Sequence, residues 1–257
     1  MVKQKYFDHL QNALKLNPYK DVISLVGGGG KTSTLVRLGN ELSDNGKKVI
    51  LTTTTRFEQL DFKMVRYFGD LTSQIIGQIE TGMANQPVIV AKRQVRGNKI
   101  KGLSIKQIAK LNREINFDYM IIEADGAEKK SLKAHHKYEP PIPQCTTMFI
   151  VVIGFDIIGK RLNIANVHRP RVVSRVINKP LDSSIHPGDI LSVLKHPDGL
   201  LKNRPAATRT VVILNKVKEH NMHEAEKLAD DILKNVPGIN SLICGELNKP
   251  HQLLLFS

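Results

Sequence analysis

The stretch that decides the fold reads Val26-Gly27-Gly28-Gly29-Gly30-Lys31-Thr32-Ser33. An apolar run at residues 22–26 leads into it, and residues 31–42 then carry apolar side chains at helical spacing. The four glycines therefore join a buried strand to a helix. Glycines at such a junction let backbone N–H groups approach phosphate oxygens, and the helix N-terminus adds its dipole. The sequence predicts a phosphate-binding loop, with a glycine-rich turn as the alternative.

Each residue of this loop has a predicted part in binding ATP or GTP with Mg²⁺. We expect the ammonium of Lys31 to be exposed to the ligand and to reach the outer phosphates, while the hydroxyl of Thr32 ligates Mg²⁺. The predicted nucleotide ligands of the loop are Gly27, Gly28, Gly29, Gly30, Lys31, Thr32 and Ser33. The spacing is shorter than G-x-x-x-x-G-K-[ST], because Leu25 stands where that pattern has its first glycine, and it is similar to the loop of the Mur ligases.

An acidic motif, Glu123-Ala124-Asp125-Gly126, follows the apolar strand at residues 119–122. A carboxylate at the end of a strand beside a phosphate loop holds Mg²⁺ or orients the attacking water. Residues two apart on a strand point the same way, so both carboxylates are predicted to face the loop. We assign Mg²⁺ to Asp125 and the water to Glu123, and keep open the reverse assignment and a purely structural role. Lys31, Glu123 and Asp125 are the predicted catalytic residues, and Thr32, Glu123 and Asp125 the predicted metal ligands.

Two further motifs follow predicted strands. Asn215-Lys216-Val217-Lys218 looks like the guanine-reading N-K-x-D pattern, but Lys218 replaces the aspartate and a cation cannot accept the hydrogen bonds of guanine. We therefore predict that Asn215 and Lys216 flank the base and that ATP and GTP bind similarly. The threonines at residues 52–55 end another strand; their hydroxyls contact phosphate or metal-bound water, or they are simply good strand formers.

Short apolar strands alternate with helical patterns along the chain. Strands are predicted at 22–26, 49–51, 88–90, 119–122, 148–153 and 210–214, and helices at 6–16, 31–42, 71–79, 105–115, 169–177, 188–194 and 223–233. This order predicts an α/β, P-loop NTPase-like fold, with a mainly parallel sheet and helices on both faces. Residues 94–102 are typical of a hairpin. We expect one domain over residues 1–257, with a small insertion at about 163–205.

Composition narrows the classes of function. The chain has 257 residues and a net charge of +14, from 38 Lys and Arg against 24 Asp and Glu. Such an excess attracts polyanions, but no helix-turn-helix, OB or RRM pattern accompanies it, so nucleic acid ranks last among the partners. One basic cluster comprises Lys92, Arg93, Arg96, Lys99 and Lys101.

We expect a cytoplasmic protein. No apolar run reaches the length of about 20 residues that spans a bilayer, and no signal peptide is apparent. Two cysteines make no disulfide framework. The histidines are expected at the surface.

Taken together, several blocks resemble the YqeC family. They read SLVGGGGKTSTLVRLGNEL, VILTTTTRF, IIEADGAEKKSLKAHHKYEPPIPQCTT, VVIGFDIIGKRL, NVHRP and VVILNKVK, and they lie in the family's order. The resemblance implies a P-loop nucleotide-binding protein that assists maturation of a selenium-containing molybdenum cofactor enzyme. It matches Lys133, Glu139, Pro140 and His168-Arg169-Pro170 to family blocks without a known role. His135 stands where the family often has proline, and Lys218 where it often has aspartate.

The leading hypothesis is thus a Mg²⁺-dependent NTPase whose partners are a nucleotide and a molybdenum hydroxylase or its cofactor-maturation proteins. Arg169 or the cluster at 92–101 supplies a cation to the transition state in this hypothesis. A non-catalytic binding module switched by nucleotide is the alternative, a nucleic-acid binder is the third, and the loop similarity adds an acid–amine ligase as a fourth.

Overall fold

The computed structural model describes residues 4–58, 66–84, 86–95, 99–249 and 253–257. The strands are β1 (Gln4–Phe7), β2 (Asp21–Gly27), β3 (Val49–Thr53), β4 (Arg56–Glu58), β5 (Arg66–Phe68), β6 (Val88–Ala91), β7 (Arg93–Val95), β8 (Lys99–Lys101), β9 (Tyr119–Glu123), β10 (Leu132–Lys133), β11 (Met148–Gly154), β12 (Val167–His168), β13 (Arg209–Asn215), β14 (Ser241–Gly245) and β15 (Leu253–Phe256). The helices are α1 (Leu10–Leu14), α2 (Lys31–Asp44), α3 (Ser73–Gly82), α4 (Ile105–Glu114), α5 (Pro170–Ile177), α6 (Pro187–Lys195) and α7 (Met222–Asn235).

A large, mostly parallel sheet forms the centre of the fold. Within the described ranges its strand order is β1-β15-β14-β13-β11-β2-β9-β3-β6-β5. The strands from β14 to β5 run parallel to one another, while β15 runs antiparallel to both of its neighbours. Because parallel strands share their direction, the loops after β2, β9, β3 and β13 meet at one edge.

Helices cover both faces of this sheet, and each face has its own apolar core. Alternate residues of β2 divide between the two cores: Ile23 and Leu25 pack with α1 and α2, whereas Val22 and Val26 belong to the core that includes residues of α3 to α7. Burial on both faces explains why the strands read as continuous apolar runs. The α/β class and the mainly parallel sheet are therefore confirmed.

The structure differs from the sequence predictions mainly at the termini. The helix predicted at 6–16 is wrong at its start, because residues 4–7 form β1 against β15 and α1 covers only five residues. The strands β14 and β15 were not predicted. The hairpin at 94–102 is confirmed in the antiparallel pair β7–β8, which joins β4 in a small second sheet; Arg96 lies outside the described residues. The single domain with an insertion at 163–205 stays a prediction.

No helix in the described ranges has the length and apolar character needed to cross a bilayer.

Candidate functional site

The glycine loop connects β2 to α2 in a conformation that needs glycine. Gly29 has φ +79°, and an added Cβ would overlap the backbone nitrogen of Gly154. Gly30 has φ +139°, and its Cβ would overlap the side-chain amide of Asn215. These backbone angles belong to the region that residues with side chains rarely adopt. The loop is thus packed against the strand ends of β11 and β13.

The loop's backbone donors divide into two groups. The N–H of Gly27 donates to Asp125 Oδ2 at 3.0 Å, and those of Gly28 and Gly29 donate to the carbonyl oxygens of Val152 and Lys130 at 2.8 Å. These three amides are engaged inside the protein. Helix α2 begins without a side-chain cap, so the N–H groups of its first turn have no partner within the helix. The donors open to a ligand are therefore those at the helix N-terminus.

A cleft of about 700 Å³ lies over the carboxyl ends of the parallel strands. The residues that line it come from the glycine loop, the ends of β3, β9 and β13, the strand β8 and the segment before α5. They are Gly29, Gly30, Lys31, Thr32, Ser33, Thr55, Arg56, Lys99, Glu123, Gly126, Ala127, Glu128, Lys129, Lys130, Glu139, His168, Arg169, Asn215, Lys216 and Asn248. Seven predicted nucleotide ligands of the loop and base motif therefore meet Glu123 at one surface, while Asp125 is not part of the lining.

Glu123 is the carboxylate that the structure turns toward the cleft. The hydroxyl of Thr32 donates to its Oε2 at 2.8 Å. Burial raises the pKa of Glu123 above the ordinary range of a glutamate, against the opposing effects of Lys31 and Thr32. The predicted metal ligands Thr32 and Glu123 are thus in direct contact.

Asp125 is the centre of a buried charge cluster beneath the loop. Its side chain is 2% exposed, its Oδ1 lies 3.1 Å from Lys31 Nζ, and its Oδ2 lies 3.1 Å from Lys133 Nζ and 2.8 Å from His135 Nε2. Burial alone would raise the pKa of Asp125, but Lys31, Lys133 and His135 outweigh it and hold that pKa far below its usual value. Asp125 is therefore an ionised carboxylate surrounded by basic groups. The strand β9 ends at Glu123, yet both carboxylates face Lys31 as expected.

Lys31 differs from the expectation of an exposed ammonium. It is 4% exposed, and its Nζ donates to the carbonyl oxygen of Gly27 at 2.7 Å. The same nitrogen lies 3.1 Å from Asp125 and 3.9 Å from Glu123. The ammonium can be buried because two buried carboxylates lie close to it. An unpaired buried charge would cost much free energy.

Two members of this cluster, Lys133 and His135, were missed as site residues. Lys133 is 1% exposed and donates to the carbonyl oxygen of Gly126 at 2.6 Å; burial lowers its pKa, although Asp125 opposes this. The ring of His135 lies between Asp125 Oδ2 and the carbonyl oxygen of Gly199, with 2.8 Å on each side. The expectation of a surface histidine is wrong here. The sequence carries two signals: Lys133 falls in a block that matches the family, and the spacing of two puts both residues on one side of an extended segment.

Asn215 and Lys216, the predicted base-contacting residues, also lie beside the glycine loop. The amide nitrogen of Asn215 donates to the carbonyl oxygen of Gly29 at 2.7 Å, and its Oδ1 accepts from the N–H of Leu247 at 2.9 Å. Lys216 lines the cleft, and its Nζ lies 2.9 Å from Ser131 Oγ and 3.3 Å from Asp156 Oδ1. Lys218, which replaces the guanine-reading aspartate, is exposed.

The threonines that end β3 are engaged with the backbone. The hydroxyls of Thr52, Thr53 and Thr54 donate to the carbonyl oxygens of Val90, Glu123 and Ala124. These bonds favour the strand-forming interpretation for all three. Thr55 is the member of the run that lines the cleft.

Arg169, one of the two predicted sources of a cation for the transition state, lines the cleft together with Glu139. Arg169 Nη2 donates to Glu139 Oε1 at 2.8 Å, and Nη1 pairs with Oε2. This pairing with Arg169 lowers the pKa of Glu139 to about 2. Of the basic cluster at 92–101, Lys99 reaches the cleft lining.

The comparisons with known proteins agree with the family resemblance of the sequence blocks. A family model described as "YqeC protein" matches residues 23–171. The chain belongs to the YqeC family. It is similar to the uncharacterized protein YqeC of Escherichia coli (strain K12), with 29% identity over 200 residues that cover 77% of each chain. The region matched to YqeC contains the glycine loop, the whole Asp125 cluster and the Glu139–Arg169 pair, and it ends before Asn215.

Proposed function

We propose that this YqeC protein is a Mg²⁺-dependent nucleotide-binding protein of the P-loop NTPase-like class that hydrolyses ATP or GTP. The observation that carries the proposal is the hydrogen bond of 2.8 Å between Thr32 and Glu123 at the N-terminus of α2. A hydroxyl at a helix N-terminus, bonded to a carboxylate at the end of a neighbouring parallel strand, is what a phosphate-bound Mg²⁺ needs. The cleft over this pair supplies the space for the nucleotide.

The donors fit a hard cation. Thr32 and Glu123 offer oxygen ligands, which Mg²⁺ prefers, and Mg²⁺ is commonly held by one or two carboxylates together with substrate phosphates. Among the described residues, no group of three or more His, Cys, Asp or Glu side chains could hold a metal by itself. We therefore assign the cation to Thr32, Glu123 and the phosphate oxygens jointly. When bound, it would neutralise charge on the phosphates.

The geometry favours a new division of labour between the two carboxylates. Glu123 lines the cleft and contacts Thr32, so we propose it as the metal-side residue. Asp125 binds the Gly27 N–H and Lys31, so we propose that it fixes the loop and holds the lysine until phosphates arrive. Lys31 then exchanges Asp125 for the outer phosphates, which lie within reach of a flexible four-carbon side chain.

The biological setting rests on the family. We propose that hydrolysis drives a step in the maturation of a selenium-containing molybdenum cofactor enzyme, with a molybdenum hydroxylase or its maturation proteins as partners. We place this step in the cytoplasm, where the unpaired thiols Cys145 and Cys244 stay reduced.

Phosphate release under single-turnover conditions tests the enzymatic part. Wild-type protein in excess over ATP or GTP with Mg²⁺ should release phosphate in one exponential phase. Glu123→Gln should slow this release by about 10²-fold or more, because the variant loses the carboxylate that would hold the cation at the phosphates. Glu224→Gln, an exposed glutamate on α7, is the matched control and should behave as wild type.

A nucleotide-switched binding module is the second candidate, because Lys31 sits on Asp125 in a position that a phosphate would displace. Tight nucleotide binding without phosphate release would select the module.

A further inference from the structure

We propose that the same cleft holds a second ligand beside the nucleotide: a small molecule with a phosphate monoester group, bound at the end of the cleft lined by Arg56, Lys99, His168 and Arg169. This inference rests on the proposed function, since the position of the proposed nucleotide determines which part of the cleft remains free for a second ligand. We call this end of the cleft the β3 end.

The sheet order separates the two ends. The glycine loop follows β2, the predicted base motif follows β13 on one side, and Thr55 and Arg56 follow β3 on the other. At about 4.8 Å per strand, the lining from β14 to β3 spans roughly 24 Å of the sheet edge. A nucleotide with its phosphates at α2 and its base toward Asn215 extends away from β3. The β3 end is then open next to Glu123, where the terminal phosphate lies.

Arg169, whose side chain is fixed by an ion pair, forms part of the wall of the β3 end. Arg169 makes a two-pronged pair with Glu139, and Glu139 lies 30 residues earlier in the chain. Arg169 has φ +62°, an uncommon conformation for a residue with a side chain, and Pro170 follows it at the start of α5. Backbone strain of this kind collects at ligand sites, where surrounding structure fixes it. The pair uses one N–H of each terminal nitrogen and leaves three further donors, because a guanidinium has five. Arg169 itself lines the cleft.

The charges around this wall point to an anion. Arg56 and Lys99 belong to the small sheet β4–β8–β7 and line the same cleft as His168 and Arg169. His168 lies 3.6 Å from Glu128, in the loop after β9, and β9 is a neighbour of β3. Two carboxylates lie in this group: Glu139 is paired with Arg169, and Glu128 Oε2 lies 3.6 Å from His168 Nδ1. Two arginines and a lysine around one cavity match a tetrahedral dianion with several acceptor oxygens, and arginine binds phosphate with a two-pronged geometry.

Calorimetric titration of inorganic phosphate tests the inference. The protein is first saturated with Mg²⁺ and a non-hydrolysable ATP analogue, so that the loop is occupied. Phosphate should still bind, and Arg169→Gln should weaken that binding by about tenfold or more through loss of a charged hydrogen bond. Arg171→Gln, an exposed arginine two residues further along α5, is the matched control and should change phosphate affinity by less than about twofold.

The outcomes separate this inference from the proposed function. If the nucleotide binds but phosphate then does not, or if Arg169→Gln and Arg171→Gln behave alike, the second site is refuted and nucleotide binding stands. If the wild type fails to bind nucleotide, the proposed function fails at the first step. In that case, phosphate binding to the free protein that depends on Arg169 and not on Lys31 supports the site by itself, and dependence on Lys31 alone refutes it. Lys99→Gln repeats the test at a residue of strand β8 that lines the same cleft, and it should likewise weaken phosphate binding.

Discussion

Replacement of Asp125 by asparagine should destabilise the protein strongly, although the side chain hardly changes in size. The substitution keeps the shape of the side chain and removes its charge. Asp125 is 2% exposed and lies within 3.1 Å of Lys31, Lys133 and His135. Without it, the carboxylate nearest to Lys31 is Glu123 at 3.9 Å, and Lys133 and His135 lose the carboxylate that they contact. Removal of one partner from a buried ion pair costs about 3–5 kcal/mol, and we expect the free energy of unfolding to fall by that amount.

Urea unfolding at pH 7 measures this loss. The midpoint should fall while the slope stays unchanged, since the surface exposed on unfolding is the same. Asp198→Asn is the control: Asp198 pairs with Lys202 at 2.6 Å but its side chain is 54% exposed, so its loss should cost less than about 1 kcal/mol.

The pH dependence of the unfolding free energy of the same variant provides a second test. The pKa of Asp125 is lowered in the folded protein, so its contribution is present above the unfolded pKa of about 3.9 and is lost as the pH falls toward the folded pKa. The difference between wild type and Asp125→Asn should therefore be constant near neutral pH and shrink below about pH 4. A loss under about 1 kcal/mol at pH 7, or a difference that does not shrink in acid, would refute the reasoning.

Three further predictions concern the loop and the nucleotide. Thr32→Val should remove about tenfold or more of the gain in nucleotide affinity that Mg²⁺ provides, whereas Thr32→Ser keeps the hydroxyl and should retain it; titrations with and without Mg²⁺ compare the two. ATP and GTP should bind within about tenfold of each other in competition, since Lys218 cannot accept from guanine, and a preference for GTP of about a thousandfold would show that another acceptor reads the base. Gly29→Ala should lower the unfolding free energy by about 1–3 kcal/mol, because φ is +79° and the Cβ would overlap Gly154. Gly188→Ala has open space around it in α6 and should be neutral or stabilising; urea unfolding measures both glycine variants.

Local patterns were sufficient to predict the three strands that position the glycine loop, Glu123 and Asn215. The strands β2, β9 and β13 are apolar runs buried on both faces, and their ends place the glycine loop, Glu123 and Asn215 together. Because neighbouring parallel strands end at one edge, that proximity follows from the order of elements alone.

Contacts between distant segments could not be predicted in this way. His135 looks like a surface residue in the sequence, and only the fold brings it against Asp125 and the carbonyl of Gly199. The pairing of Glu139 with Arg169 likewise joins two segments whose local sequence patterns do not indicate that they are in contact. The β1–β15 pair at the sheet edge joins the two ends of the chain, and short strands of that kind have little periodicity of their own.

Calorimetric titration of ATP and of GTP into the wild type and Lys31→Ala, each with and without Mg²⁺, tests the central claim most directly. Circular dichroism establishes that the variant is folded, and Lys234→Ala, an exposed lysine on α7, serves as the matched control. The account predicts Mg²⁺-dependent binding to the wild type and to the control, and a loss of about a hundredfold or more in Lys31→Ala, because that lysine neutralises the outer phosphates. Absence of binding to the wild type, or equal affinity in folded Lys31→Ala, would contradict it.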